Sequence, residues 1–418
     1  MNIYFSGIGG VGIGPLAEIA YDAGYDVAGS DIEESLMTHE LRKKDITVSI
    51  GQDGTFLLAR HRDKPITWFV YTSSLPQDHP ELILARKLGI RTAKRDELLS
   101  YIINDKNLKL IGVAGTHGKT TTTAMMVWAF QQLGIPVSYS IGTTIKFGPS
   151  GKFDRDSEYF VYECDEFDRN FLHFSPYLSL ITSIDYDHPD TYPSEQNYLD
   201  AFRQFAIGSM NVISWNDQHS EVFNNLSQAK LLQSSDTNQQ LTLNGETNRR
   251  NATLVQTGLA QLGITQDTDK ILDSYPGTDR RFEKLVKNLY SDYGHHPVEI
   301  AATLQLAHEL SDRIMLVYQP HQNVRQHQIA SQYTNQFELA EAIYWLPTYL
   351  SREDPNLPIL KPEDLIQNIT NKDSVHITDF NDNLWDIIQA ARHDGMLVLC
   401  MGAGKIDSWV RDKLTTTK

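Results

Sequence analysis

The chain has 418 residues, 40% of them hydrophobic and 22% charged; at roughly 100–200 residues per domain this gives two to four domains, each burying its own core. A formal net charge of −16 repels polyanions, so a general nucleic-acid or anionic-membrane binder is excluded and any phosphate is held locally. Only two cysteines, Cys164 and Cys400, occur, which leaves no disulfide framework or cysteine-based zinc cluster; both are expected to be buried packing residues in apolar strands of a cytoplasmic protein. The N-terminus lacks the basic region of a signal peptide, and no segment approaches the ~18 apolar residues of a membrane helix, so no membrane insertion is expected.

In chain order, a strand at residues 3–5, a glycine turn, an apolar-periodic segment at 16–23 and a strand at 27–29 set a βαβ rhythm. The turn GIGGVG, residues 7–12, satisfies the dinucleotide fingerprint, and Asp31 ends the second strand where a ribose-binding acid belongs. Taken alone, it also fits a tight strand-to-helix turn with no ligand. The rhythm continues through TWFVYTSS (67–74) and the amphipathic HPELILARKLGI to a polar join at 104–109, the first boundary.

A second strand-loop-helix unit opens at Leu110 and carries the strongest local signal, GTHGKT at 115–120. In that context backbone N–H groups cradle a phosphate, Lys119 neutralises it and the Thr120 hydroxyl can ligate Mg²⁺. Valine at 113 replaces the first glycine of the usual spacing, so the loop is a shortened variant of a nucleoside-triphosphate site. Strands follow at 158–164 and 178–184, nearly continuous apolar runs as in a sheet covered on both faces. Their ends carry an acidic constellation, Glu163, Asp165, Glu166 and Asp168, then Asp185, Asp187, His188 and Asp190, suited to serving Mg²⁺ directly or through neighbours. The polar tract 227–240 reads as a connection or hairpin, a helix at 252–262 closes the unit, and YPGTDRR within 274–282 reads as a hinge. A third α/β unit runs to the late strand MLVLCMGAG. His295-His296 and His321 with Arg325 lack a third ligand at zinc spacing, and anion recognition by Arg325 is favoured over a metal.

The ordered set SGIGGVGIG, GVAGTHGKTTTTAM, ECDEFDRNFL, IDYDHPDTY, NRRNA, YPGTDRRFE, DYGHHPVEIAAT, YQPHQNVR and MGAG spans nearly the whole chain and resembles the Mur ligases, the ATP-dependent amino-acid-adding enzymes of peptidoglycan synthesis. The resemblance is greatest to the branch that adds L-alanine to UDP-N-acetylmuramate. It implies three sequential α/β domains: a Rossmann-like UDP-sugar domain (1–107), a P-loop-type ATPase domain with a mostly parallel sheet (108–277), and a Rossmann-like amino-acid domain (278–418). The NAD reading of residues 7–12 gives way to UDP-sugar binding by Gly9, Gly10, Val11, Gly12, Asp31, Ser73 and Ser74. ATP falls to Gly115, Thr116, His117, Gly118, Lys119, Thr120, Thr121, Asn248, Asn251, Arg281 and Asp292. Mg²⁺ falls to Thr120, Glu163 and His188, and the amino acid to His295, His321 and Arg325. Lys119, Glu163, His188 and Arg281 are the implied catalytic set.

The implied chemistry is attack of a carboxylate on the ATP γ-phosphate, then of an amine on the acyl phosphate, assembled by domain closure in a monomer or homodimer. Some positions depart from the family pattern: Thr247 replaces a His, Gln322 an Arg and Ser183 an Asn, and the stretch from Asn216 to Asn248 is short. They keep two alternatives open, a recycling ligase that adds a preformed tripeptide and a weakly active ATP-binding homologue with a regulatory role.

Overall fold

The computed structural model describes every residue except 73–74, 189–190, 352 and 417–418. The first sheet comprises β1 (Asn2–Ser6), β2 (Asp26–Asp31), β3 (Thr47–Ile50), β4 (Trp68–Tyr71) and β5 (Arg91–Lys94). They lie in the order β3-β2-β1-β4-β5, all parallel. Strand β1 is central and its Tyr4 and Phe5 are wholly buried, which is why this stretch is apolar without alternation.

The second sheet comprises β6 (Lys109–Ala114), β7 (Val137–Ser140), β8 (Gly151–Lys152), β9 (Tyr159–Glu163), β10 (Leu178–Ile181), β11 (Val212–Trp215) and β12 (Ala229–Leu232). Its order is β12-β11-β10-β6-β9-β7-β8, and only the β7–β8 pair is antiparallel. The tract expected to be a connection or hairpin instead supplies β12, a parallel edge strand registered on β11. An edge strand needs only one apolar face, so its polar composition hid it.

The third sheet comprises β13 (Glu283–Val286), β14 (Leu289–Asp292), β15 (Ile314–Tyr318), β16 (Ala342–Trp345), β17 (Val375–Ile377) and β18 (Leu397–Met401), ordered β13-β14-β18-β15-β16-β17. Only β13–β14 is antiparallel. Hydrophobic clusters pack on both faces of this sheet, one built on Trp345, Tyr318 and Tyr333, the other on Trp385, Ile388 and Val410.

Compactness divides the chain into two units, 1–237 with 251–275, and 238–250 with 276–418. Within the first unit a continuous core runs from Ile3, Phe5 and Leu16 to Phe171, Phe202 and Phe205 of the second sheet. The residues 238–250, sequence-assigned to the central domain, cluster with the third sheet. There Glu309 accepts from Gly245 N–H (2.7 Å) and from both terminal nitrogens of Arg249 (2.8 and 3.0 Å). The helix Glu246–Gln261 starts six residues ahead of its expected position, so its first turn belongs with that segment. Cys164 and Cys400 are both fully buried, and burial pushes the Cys164 thiol well up, leaving it inert. No helix among the described residues is long and apolar enough to cross a membrane.

Candidate functional site

In parallel sheets ligands gather beyond the carboxyl ends of the strands, and each sheet here carries a glycine loop at that edge. Beyond β6, residues 115–118 turn into the helix Lys119–Gln132, with Gly115 at φ +130° and Gly118 at φ +86°. A Cβ on Gly115 would stand 2.2 Å from Thr182 Oγ1, so both backbone angle and space demand glycine. The loop is pinned to β10 and its sequel: Thr116 N–H donates to Ser183 O (3.0 Å), His117 N–H to Ser183 Oγ (3.0 Å), and Thr116 Oγ1 to Asp185 O (2.8 Å). Ser183, which departs from the family pattern, thus serves the loop with both its carbonyl and its hydroxyl. His117 lies 3.5 Å from the Asp185 carboxylate, and Thr121 is half-buried in the helix's first turn.

Lys119 Nζ donates to Gly115 O (2.5 Å) and Thr116 O (3.2 Å) and pairs with both carboxylate oxygens of Glu166 (2.9 and 2.8 Å). Burial alone would lower the lysine's pKa, yet Glu166 and Asp165 outweigh it and hold the ammonium charged. Burial pushes the Glu166 carboxyl up, while Lys119 and His188 restrain it. In the sequence Glu166 stands only within the acidic run, and its pairing with Lys119 has no local signal. Thr120 Oγ1 donates to Glu163 Oε1 (2.8 Å), and Glu163 Oε2 accepts from Gly142 N–H (3.0 Å). His188, at φ +56°, turns its Nε2 to within 3.8 Å of Glu166 rather than to Glu163. Asn251 is buried against Gly118.

No group of three or more His, Cys, Asp or Glu side chains able to hold a metal occurs among the described residues. The Thr120–Glu163 pair is nevertheless a hard-oxygen donor set beside the phosphate loop. That fits Mg²⁺, which takes one or two protein oxygens and completes its shell with phosphate and water, and does not fit zinc.

At the first sheet, Asp31 Oδ2 accepts from Gly9 N–H (2.7 Å) and its Oδ1 from Ile32 N–H (2.8 Å), so this carboxylate shapes the loop 7–12. Gly10 N–H bonds Gly7 O (3.1 Å), and Val11 stands 84% exposed at the loop's tip. Ser73, Ser74 and Asp190 lie outside the described residues.

Asp292, at the end of β14, accepts from Phe282 N–H and Gly294 N–H, both at 2.7 Å. Burial pushes its carboxyl up to about 6, tempered by Arg281 and the two N–H groups. The guanidinium of Arg281 lies 5.3 Å from the Tyr293 ring centre. Asn248 Nδ2 donates back to Asn244 O (2.9 Å) at its helix start. The His295 and His321 rings meet edge to face with centres 5.5 Å apart, and His321 stacks on Tyr349 at 5.6 Å. Burial pushes the Tyr318 and Tyr333 hydroxyls up, and Arg325, on the helix Asn323–Ile329, is close enough for its charge to offset a small part of that. The Glu353 carboxylate caps that helix by accepting from Asn323 and Val324 N–H (3.0 and 3.1 Å). Gln322, in place of the family's Arg, is the N-cap at φ +59°. Tyr349 and Glu353 come from a long connection, where nothing in the sequence marked them.

Residues 2–107 match the model described as Mur ligase family, catalytic domain, residues 113–264 the Mur ligase middle domain, and residues 280–404 the Mur ligase, glutamate ligase domain. A curated UDP-N-acetylmuramate--L-alanine ligase from Carboxydothermus hydrogenoformans is 30% identical over 97% of this chain and 95% of its own. The protein of the same name from Lawsonia intracellularis is 31% identical over 96% of this chain and 94% of its own. Among solved structures, the UDP-N-acetylmuramate-alanine ligase of Thermotoga maritima matches with a TM-score of 0.75 at 23% identity over 100% of both chains. A murein peptide ligase from Psychrobacter arcticus matches at 0.63 and 22% identity over 99% of this chain and 98% of its own. Both structures share the three-domain α/β fold.

Proposed function

We propose, from the premise that the chain belongs to the Mur ligase family, that it joins L-alanine to the carboxylate of UDP-N-acetylmuramate at the expense of ATP, giving ADP and phosphate for peptidoglycan precursor synthesis. The observation that carries this reading is end-to-end likeness to two curated L-alanine ligases. The preformed-tripeptide alternative has no comparable support.

In this reading the loop 115–118 and Lys119 hold the triphosphate, and Thr120 with Glu163 holds Mg²⁺. When bound, Mg²⁺ neutralises charge on the transferring phosphoryl group. A muramoyl carboxylate oxygen bonds to the γ-phosphorus as ADP leaves. The alanine nitrogen then bonds to the acyl carbon, phosphate leaves with the bonding pair, and the nitrogen sheds its proton. Lys119 is held charged beside the loop by Glu166, so it offers a positive group there, and Nζ reaches a phosphate oxygen by exchanging one of its contacts with Gly115 O, Thr116 O or Glu166. In the second unit the reading gives Asn248, Arg281 and Asp292 to ATP and His295, His321 and Arg325 to the amino acid. In this reading the enzyme works in the cytoplasm as a monomer or homodimer.

A coupled ADP-release assay of UDP-N-acetylmuramate with L-alanine, glycine, L-serine and the tripeptide tests the reading. Release dependent on L-alanine is expected. Failure of every acceptor to stimulate release would sink the ligase assignment, and preference for the tripeptide would replace the acceptor.

A further inference from the structure

A relay of buried hydrogen bonds joins the backbones of His295 and His321. Tyr318, which ends β15 at the carboxyl edge of the third sheet, donates from its hydroxyl to His295 O (3.1 Å). The same hydroxyl lies 3.1 Å from that of Tyr333, Tyr333 donates to Gln326 Oε1 (2.6 Å), and Gln326 Nε2 donates to His321 O (3.1 Å). Tyr318, Tyr333 and Gln326 are all wholly buried. The rings of Phe337 and Trp345 pack on both tyrosines, with centres 5.0 to 5.7 Å away. In such an apolar shell a hydrogen bond is stronger than it would be in water.

Counting protons gives the relay a direction. A carbonyl only accepts, so the amide nitrogen of Gln326 faces His321 O and its Oε1 faces Tyr333. Tyr333 then gives its single proton to Gln326, and the contact between the tyrosines is supplied by Tyr318. Tyr318 thus has one proton for two acceptors, Tyr333 Oη and His295 O. The lengths agree with this division. Both of its contacts are 3.1 Å, longer than the usual O–H···O distance of about 2.7–2.8 Å, whereas the undivided bond from Tyr333 is 2.6 Å.

The groups at the two ends of the relay belong together, since the His295 and His321 rings meet with centres 5.5 Å apart. Gln326 also follows Arg325 on the helix Asn323–Ile329, so its bonds hold the segment that carries this cation. We propose that Tyr318, Tyr333 and Gln326 are positioning residues for the acceptor amino acid: their relay fixes the separation of His295 and His321, and Tyr318 ties the loop after β14 to it by dividing one proton between that loop and the core. The proposal rests on the reading that gives His295, His321 and Arg325 to the amino acid, and deepens it by naming what holds them in place.

Initial rates of ADP release by the full-length wild type, Tyr318→Phe, Gln326→Met and the double variant test it, with L-alanine, ATP and UDP-N-acetylmuramate varied in turn and melting temperatures alongside. Each single substitution removes one link and nearly keeps the volume. The KM for L-alanine is expected to rise about three- to tenfold in each, the range of one hydrogen bond, with kcat and the other two KM values within about twofold of the wild type. The double variant raises it by less than the product of the two, because either substitution alone already cuts the relay. Melting temperatures stay within about 4 °C of the wild type. An unchanged KM for L-alanine in either single variant overturns the proposal, and so does a full product in the double variant, which makes the contacts independent. A rise shared equally by the KM for ATP, with a melting temperature lowered beyond that range, makes these residues part of the core alone and overturns it too. A wild type whose ADP release L-alanine does not stimulate defeats the functional reading and this proposal together. Stimulated release with wild-type constants in the variants defeats this proposal alone.

Discussion

Lys119 and Glu166 form a buried ion pair whose two members depend on each other. Removing one partner of such a pair typically costs about 3–5 kcal/mol, because the survivor keeps an uncompensated charge away from water. Glu166→Gln is therefore expected to lower the urea midpoint substantially, and a change within error would show that Lys119 finds another partner. Lys119→Ala should reduce ADP release at least about a hundredfold through loss of preorganised charge; an unchanged rate would remove the phosphate role assigned to it. Asp292 behaves in the opposite sense to a surface carboxylate. Its folded pKa of about 6 lies above the unfolded value of 3.8, so the folded state binds the proton more tightly. Stability accordingly falls as pH rises from about 4 to about 6, by up to roughly 3 kcal/mol from this group, and the full cost remains above that window. Urea midpoints measured across it should slope downward with pH in the wild type and flatten in Asp292→Asn; parallel slopes would assign the effect elsewhere.

The phosphate loop and the segment 238–250 show how single contacts decide whole elements. Gly115→Ala must adopt φ +130° and place a methyl 2.2 Å from Thr182 Oγ1, next to the backbone of Ser183. The expected outcome is lost ATP binding by calorimetry and a lowered melting temperature, and a variant that binds ATP normally would show that the loop has another conformation. In the other segment, Glu309 is pulled down to about 2 by its hydrogen bonds with Arg249, Gly245 and Gln305, against the opposing effect of burial. This contribution is complete above the unfolded value of 4.5 and is lost as pH falls towards 2. Hydrogen exchange of residues 245–250 should accelerate at low pH and in Glu309→Gln at neutral pH, and protection unchanged by the substitution would rule out the clamp. The sequence showed the glycine loop because its spacing is local. It did not show the clamp, whose two halves stand 60 residues apart.

At the scale of the molecule, compactness makes two units, one holding the first two sheets around a shared core and one holding the third. A ligand stabilises the unit that binds it, by about 2.7 kcal/mol at a hundred times its dissociation constant. Scanning calorimetry should therefore resolve two transitions, with UDP-N-acetylmuramate raising only the one that belongs to residues 1–237 with 251–275; a single transition that moves as a whole would contradict independent units.

Local pattern determined the three α/β sheets, the glycine loops at 7–12 and 115–118, the acidic strand ends and the family, because strand periodicity, turn glycines and motif spacing are carried within short stretches of chain. Tertiary structure decided which acid meets Lys119, that Asp31 holds its own loop, and that residues 238–250 cluster with the third sheet. Those outcomes depend on strand order and on side chains far apart in sequence, and pairing across a sheet edge leaves no period for a sequence to display.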